Sequence, residues 1–478
     1  MSGAPDLNDV GGLRGGTVTV LDPAKAKRPT PARLFVRGDH VELAECLVED
    51  MRAESEFAST GGRFERYDPQ RGIFRDFCDD EARRRVMAYR GAPVLRGEDK
   101  TRPLSLTRAA VDGAVSLAMS LAADPKFFDT AHAGVAFADC FVEVTASGIV
   151  QREHSPDHRA RFAHDFAFMA HAEPLKLLAF FESCWRDDTE ADRATKIALY
   201  QEYLGISMLG LATRYQRALV QVGDGANGKS VASSILERCM PPGSVCSIPP
   251  QDVGQEYRRA MLAGKLLNIV SELPESDILD SESWKAVVAG DMMTGREIKR
   301  SPFQFRPIAG HIYSANRLPG TTDHTLGFWR RLIVVRFDRV FAEHEQDPGL
   351  ADRIVGEERG AIVSWALAGA QRVLSRGGLS VPPSASAALD DWKRASDQVL
   401  AFVEERCERL PLDAPTSTWL AASTLYQTYG RWASENGHRP MASNKFSERL
   451  RLLGIEARKA AAGKRYPVRL MWEAGFHD

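Results

Sequence analysis

The chain has 478 residues, too many for a single hydrophobic core, and at about 100–200 residues per domain it calls for three or four folding units. Its 62 Lys and Arg against 64 Asp and Glu leave a formal charge of −2, so any nucleic-acid contact has to come from locally concentrated basic segments. Seven scattered cysteines without a CxxC pair argue against a zinc knuckle or a disulfide framework, and read as reduced, mostly buried thiols. The first 30 residues hold no apolar stretch of signal-peptide length, and no later run approaches about 18 apolar residues. A cytoplasmic location and no membrane partner follow.

Taken in chain order, residues 1–32 are a flexible arm rich in Gly and Pro, with little apolar area to offset the entropy of ordering. Helical spacing over 41–51 and the alternating stretch GRFERYDPQRGIFRDF, turning at DPQRG, predict a helix and a β-hairpin. The expected unit is an arm plus a small α+β module over 1–103. Residues 104–200 read as a mainly helical collar, interrupted at 135–144 by a strand or two. His154, His158, His164 and His171 lie in the helical stretch without acidic or Cys partners at ligand spacing, and read as solvated or capping side chains.

Over 201–345 apolar strand-like runs alternate with helical ones: ALVQV, a helix from Lys229, LLNIVSE, a helix at 281–289, HIYSA and LIVVRF. Such alternation predicts a parallel sheet covered by helices. Residues 346–384 form a helical extension, with a helix over 355–375 and the linker RGGLSVPPSAS, and 385–478 form a last domain.

The octapeptide GDGANGKS, residues 223–230, fits GxxxxGK[ST]. Alone that pattern is weak, but ALVQV supplies a strand before it and SVASSILERCM a helix after it, the arrangement a phosphate cradle needs. Gly223, Gly225 and Gly228 let backbone N–H groups converge on phosphate oxygens, with Asp224, Ala226, Asn227 and Val231 completing the cradle. Lys229 would neutralise the β and γ phosphates and Ser230 would ligate Mg²⁺, making ATP and Mg²⁺ the expected cofactors. Downstream, LLNIVSELPES ends a strand in Glu272, placed to face the metal or the attacking water. HIYSANRLPG ends another in Asn316, which could orient water near the γ phosphate, and in FWRRLIVVRF Arg330 and Arg331 precede a strand, where an arginine can reach a neighbouring subunit's nucleotide.

GDGANGKS, MLAGKLLNIVSELPE, GDMMTGREIKRSPFQFRP, HIYSANRLP and FWRRLIVVRF, in that order, resemble the motifs of the superfamily 3 helicases, and within them the helicase portion of phage and plasmid primase-type proteins and their large-virus relatives. The resemblance implies a multidomain α/β fold: an AAA+-like three-layer P-loop core with a parallel sheet, a helical N-terminal collar and a C-terminal winged helix. It implies a hexameric ring that hydrolyses ATP between subunits and translocates on one strand of single-stranded or forked DNA to replicate a phage, plasmid or other mobile element. Lys229 and Ser230 then belong to Walker A, Glu272 to Walker B, with Ser230 and Glu272 on the metal. Asn316 becomes sensor 1, and Arg331, with Arg330 as alternate, the arginine finger. REIKRSPFQF becomes a hairpin projecting into the channel, where Arg296, Lys299 and Arg300 grip phosphates. The segment itself agrees, since its cations cluster beside a Pro-containing turn backed by Phe303 and Phe305.

Two departures stand out. Ser271 occupies the place before Glu272 where many of these helicases carry a second acid, and the N-terminal residues offer neither paired catalytic acids nor zinc ligands for a primase, so a separate primase or polymerase is the expected partner. Toward the end, eight Lys or Arg face two Glu over residues 443–469. There Ser443 is expected to cap the helix NKFSERLRLLG, two strands follow around AAGK, and Lys445, Arg449, Lys464 and Arg465 are the candidate phosphate contacts. The competing functional class is an ATP-controlled DNA-binding initiator or loader, or a primase-associated scaffold, which would show DNA-stimulated ATPase without processive unwinding.

Overall fold

The computed structural model describes residues 33–97, 100–273, 281–298, 302–321, 323–460 and 463–471. The expected arm, 1–32, and the proposed grip residues Lys299 and Arg300 lie outside the described residues. The chain divides into two compact units, one made of residues up to 54 with 77–122, the other of 55–76 with 123 onward. In the smaller unit, helices His40–Glu54, Asp79–Ala88 and Arg108–Leu121 pack beside the antiparallel pair Pro93–Leu95 and Thr101–Pro103. The expected hairpin forms within a three-stranded sheet, Phe57–Thr60, Arg63–Asp68 and Ile73–Phe77, all of whose residues but Phe77 fall in the larger unit.

The larger unit is built on a five-stranded sheet. Its order is Val245–Cys246, Leu267–Val270, Gly310–Ala315, Ala218–Val222, Leu332–Arg336, and every neighbouring pair is parallel. Such a sheet must be covered on both faces, and its inner strands are mostly apolar rather than alternating with exposed polar residues; Gln221, Asn268, His311 and Ser314 are polar but buried. All five residues of Ala218–Val222 are buried. Leu219, Ile269, Ile312 and Ile333 face one layer, containing helices Glu190–Met208, Lys229–Cys239 and Leu350–Arg376. Val220, Val270, Tyr313 and Val334 face the other, which holds Trp284, Phe328 and Trp392 from helices Ser281–Ala289, Leu326–Trp329 and Pro383–Ser396. Each fully buried Val, Leu or Ile contributes roughly 1.5–3 kcal/mol, so these two layers supply most of the stability that positions the loops at the sheet's ends.

The helix Glu190–Met208 is clamped to the 27-residue helix Leu350–Arg376 by a buried charge. Glu202 has no solvent exposure, and its two oxygens accept from Arg372 at 2.9 Å, Arg376 at 2.9 Å, and the Ser380 backbone N and hydroxyl at 2.6 and 3.0 Å. Removing the arginines would leave the Glu202 charge buried without its cationic partners, a loss of about 3–5 kcal/mol, whereas the arginines themselves are partly exposed. The Gly/Pro/Ser-rich stretch read as a linker is thus tied down at Ser380, and the helix Pro383–Ser396 begins inside it.

The region expected to be helical from 104 holds a three-stranded antiparallel sheet, Gly134–Ala136, Phe141–Thr145 and Gly148–Arg152. The histidines near it are not all solvated. His158 stacks on Phe141 with ring centroids 4.0 Å apart, and His164 lies against Phe137 and Phe166, 1 % exposed, with no hydrogen-bond partner for either ring nitrogen. Burial pushes the His164 pKa down to about 3.

From Gln398 a separate core forms around Phe402, Tyr429, Phe446 and Tyr466. It unites helices Gln398–Arg406, Ala422–Glu435 and Ser443–Leu452 with the antiparallel strands Arg458–Ala460 and Gly463–Tyr466. Ser443 is the first residue of its helix, not the cap; Ala442 occupies the cap position and provides no side-chain hydrogen bond. Among the described residues no helix is long and apolar enough to cross a membrane.

Candidate nucleotide-binding site

In the sheet order above, the chain leaves the interior strand Ala218–Val222 toward one edge, returns through Gly310–Ala315, and then crosses to Leu332–Arg336 on the other side. Open parallel sheets bind ligands in the crevice outside the carboxyl ends of the strands where the order reverses. A cleft of about 820 Å³ lies there, lined by the 225–231 loop, Ser271, Glu272, Ala315 and Asn316. Strand register explains the convergence. Ala315 pairs with Val222, bringing Asn316 level with Gly223, and Val270 pairs with Tyr313, bringing Glu272 level with Ala315. Three strand ends far apart in sequence therefore present Lys229, Glu272 and Asn316 to one space.

The loop is held rigidly. Gly223 accepts no side chain, since a Cβ there would come within 2.3 Å of both Asn227 Nδ2 and Phe337 O; at Gly228, where φ is +92°, it would approach Cys184 Sγ to 2.8 Å. Asn227 Nδ2 donates to Phe337 O at 3.1 Å, Phe337 N to Val222 O at 2.8 Å, and Phe341 N to Ala226 O at 2.7 Å. Asp224 is exposed at the loop's outer side. Lys229 is 5 % exposed, and its ammonium donates to Gly223 O and, at 3.1 Å, to Asn227 Oδ1. Among the described residues no carboxylate lies within ion-pair distance of it. Burial lowers its pKa, and the nearby Asp224 opposes the shift.

A buried cation whose acceptors are neutral oxygens, at the first turn of an 11-residue helix with converging backbone N–H groups, suits a polyanion. Ser230 is exposed beside it, and Glu272 and Asn316 are exposed across the cleft. The end of the cleft formed by residues 176–183 and 341–354 mixes apolar Phe180, Phe341, Leu350 and Ile354 with charged Lys176, Glu345, Asp347 and Arg353. Arg339 stiffens that end by donating to Ser183 O at 2.8 Å and to Glu345 Oε1 at 2.5 Å, while lying 4.2 Å over the Phe341 ring. Phe341, Glu345 and Arg339 carry no recognisable motif; only their place after the last strand of the sheet could have drawn attention to them.

Arg330 and Arg331 lie at the opposite edge of the same sheet. Because Leu332–Arg336 runs parallel to Ala218–Val222, with Leu332 opposite Ala218, the arginines sit at the amino ends of the strands and the loop at the carboxyl ends. Five residues at about 3.3 Å each separate these edges by about 16 Å. Arg331 is 9 % exposed; it donates to Gly327 O, and its Nε has no partner. Arg330 is exposed and donates to Gln216 Oε1 at 3.3 Å. Sequence reasoning missed Arg217, whose position before the strand Ala218–Val222 is level with Arg331. Burial and then the charge of Arg330 lower the Arg217 pKa, and burial and then Arg330 lower that of Arg331. Three guanidinium groups thus crowd one edge.

The segment expected as a hairpin is one: Met293–Gly295 pairs antiparallel with Phe303–Phe305. Arg296 is exposed on it, Glu297 pairs with Arg63, and Ile298 is 78 % exposed. In the C-terminal part, Lys445 and Lys464 are exposed. Arg449 is not available to phosphate, because it is bound to the buried Asp397 through Nε at 2.7 Å and through Nη2 at 2.5 Å. Arg465 is partly withdrawn too, donating to Trp419 O at 2.7 Å and Ser417 O at 3.3 Å.

Fold and site together define a multidomain α/β protein with a five-stranded parallel sheet and a cleft at the carboxyl ends of its strands. Residues 221–331 match a family of unknown function (DUF5906), and residues 394–459 match the Poxvirus D5 protein-like family. Among solved structures the chain is similar to the C terminal region of NrS-1 in its apo form: 10 % identity over 90 % of this chain and 99 % of that one, TM-score 0.45. A second apo structure of that region gives 10 % identity over 91 % and 99 %, TM-score 0.44.

Proposed function

We propose that the protein is an ATP-dependent, ring-forming DNA helicase of the superfamily 3 type, acting in replication of a phage, plasmid or other mobile element. The observation that carries the reading is the division of one site between two edges of one sheet: a phosphate-type cradle at the carboxyl ends, and Arg217, Arg330 and Arg331 at the amino ends. No arginine of that cluster reaches the cradle of its own chain. Head-to-tail association places one copy's arginines at the next copy's cleft, and a heterologous contact of this kind forms a ring when the rotation between copies closes. The match of the C-terminal part to the Poxvirus D5 protein-like family supports a primase/helicase-like role in DNA replication.

In this reading ATP lies in the cleft with its base toward Phe180 and Phe341 and its phosphates on the 223–230 loop. Lys229 offsets the charge of the terminal phosphates, and Ser230 and Glu272 are the residues that would hold Mg²⁺, which would supply further positive charge to the phosphate oxygens. Asn316 orients the attacking water, and the neighbour's Arg330 stabilises charge on the transferred group in the transition state, in place of the expected Arg331, which is 9 % exposed and bonded to Gly327 O of its own chain. The hairpin at 293–305 contacts the DNA strand, and the C-terminal part is a winged helix whose exposed Lys445 and Lys464 contact phosphates. The test is strand displacement from a forked duplex by the full chain with ATP and Mg²⁺. ATP-dependent displacement supports the helicase; DNA-stimulated hydrolysis without displacement replaces it with the initiator or loader.

A further inference from the structure

The strand Ala218–Val222 carries one polar side chain in its apolar run. Gln221 has no solvent exposure, and a buried primary amide is costly unless its hydrogen bonds are made. All of its partners are side chains from three other elements. Oε1 accepts from Ser233 Oγ at 3.0 Å and from Ser314 Oγ at 2.9 Å, and Nε2 donates to Tyr200 OH at 2.9 Å. Ser233, Ser314 and Tyr200 are themselves buried.

Each serine belongs to an element that carries a site residue. Ser233 is four residues beyond Lys229 on the same helix, one turn along the same face. Ser314 lies directly opposite Gln221 in the sheet register and two residues before Asn316. Its carbonyl accepts from Leu273 N at 2.7 Å, so the strand end bearing Glu272 is tied to the same point. Three groups that would have to be spaced against one phosphate are thereby referenced to a single amide, none of whose atoms lines the cleft. Leu or Met would fill that space without a polar network to satisfy, and the amide adds fixed direction to the packing.

We propose that Gln221 is a positioning residue for phosphate-bond hydrolysis, fixing the helix of Lys229 and Ser230 against the strands of Asn316 and Glu272. The inference rests on the nucleotide reading above. It predicts an effect on turnover and not on ground-state binding, since the loop's own bonds to Phe337 and Ala226 remain in place.

The experiment compares wild type, Gln221→Met and Ser314→Ala as full chains with ATP and Mg²⁺. It measures kcat, the Kd for ADP and the thermal midpoint. In both variants kcat falls about 10- to 100-fold, the loss expected when reacting groups are misplaced by a fraction of an ångström to about 1 Å, while the Kd for ADP stays within about twofold. A lower midpoint with unchanged kcat would make the network structural and overturn the proposal, as would parallel losses in Kd and kcat. Ser314→Ala removes a single hydroxyl and carries the test if Gln221→Met does not fold. A wild-type chain that neither binds nor hydrolyses ATP overturns the nucleotide reading itself; an active wild type with equally active variants overturns only the role of Gln221.

Discussion

The carboxyl and amino edges of the five-stranded sheet differ in how their cations are treated. At the carboxyl edge Lys229 is buried, but its ammonium has oxygen acceptors and its loop is fastened on both sides. At the amino edge burial and then the charge of Arg330 lower the basicity of Arg217 and Arg331, with Asp291 opposing the shift at Arg331, and Arg331 keeps an unpartnered buried Nε. Folding alone gives no reason to gather like charges there, because close like charges and unpaired buried polar groups both cost free energy. The carboxyl edge is organised within one chain, whereas under the proposed function the amino edge is arranged for an anion that another chain brings.

Lys229→Ala breaks the first edge and has the largest expected effect: ATP hydrolysis falls to background while the thermal midpoint is retained, as read by phosphate release and melting. Arg330→Ala breaks the second, lowering kcat about 1000-fold or more with ADP affinity and assembly intact. Arg331→Ala sharpens the assignment, because Arg331 packs against its own chain; it lowers the midpoint as well as kcat, a difference that calorimetry beside the ATPase assay resolves. Arg217→Ala has a smaller effect, about 10-fold on kcat.

Away from both edges, Lys445→Ala and Lys464→Ala each weaken DNA binding without regard to sequence and reduce its salt slope by about one. The smallest effect is on acid stability. His164 stays neutral in the fold, with a pKa near 3, whereas in the unfolded chain it protonates near its ordinary value of about 6.5. Its folded pKa is depressed, so stability is full above about 6.5 and declines as pH falls toward 3. His164→Phe, which loses no hydrogen bond, flattens the stability–pH profile by about one proton across that window.

Much of the sheet was legible because fully buried parallel strands read as continuous apolar runs, and ALVQV, LLNIV, HIYSA and LIVVRF all became strands. The spacing of GDGANGKS fixes a local loop, so its course between strand and helix was also accessible from sequence. What depends on register was not. Arg217 acquires interest only when the parallel pairing brings it level with Arg331, and Gln221 looked like one polar residue in a strand until the register set Ser314 opposite it. Side-chain charge alone misled at Arg449, because Asp397, which claims its guanidinium, lies 52 residues earlier. The histidines misled for a related reason: hydrophilic spacing gave no sign that His164 would pack between two phenylalanine rings.

The most direct test of a site shared between chains is to mix Lys229→Ala with the double variant Arg330→Ala, Arg331→Ala, each inactive alone, and to measure ATP hydrolysis at fixed total protein. Some interfaces in the mixture then join an intact cradle to intact arginines, and activity rises well above that of either variant. If every mixing ratio stays at background although the two chains co-assemble, the two edges do not meet across subunits and the account is wrong.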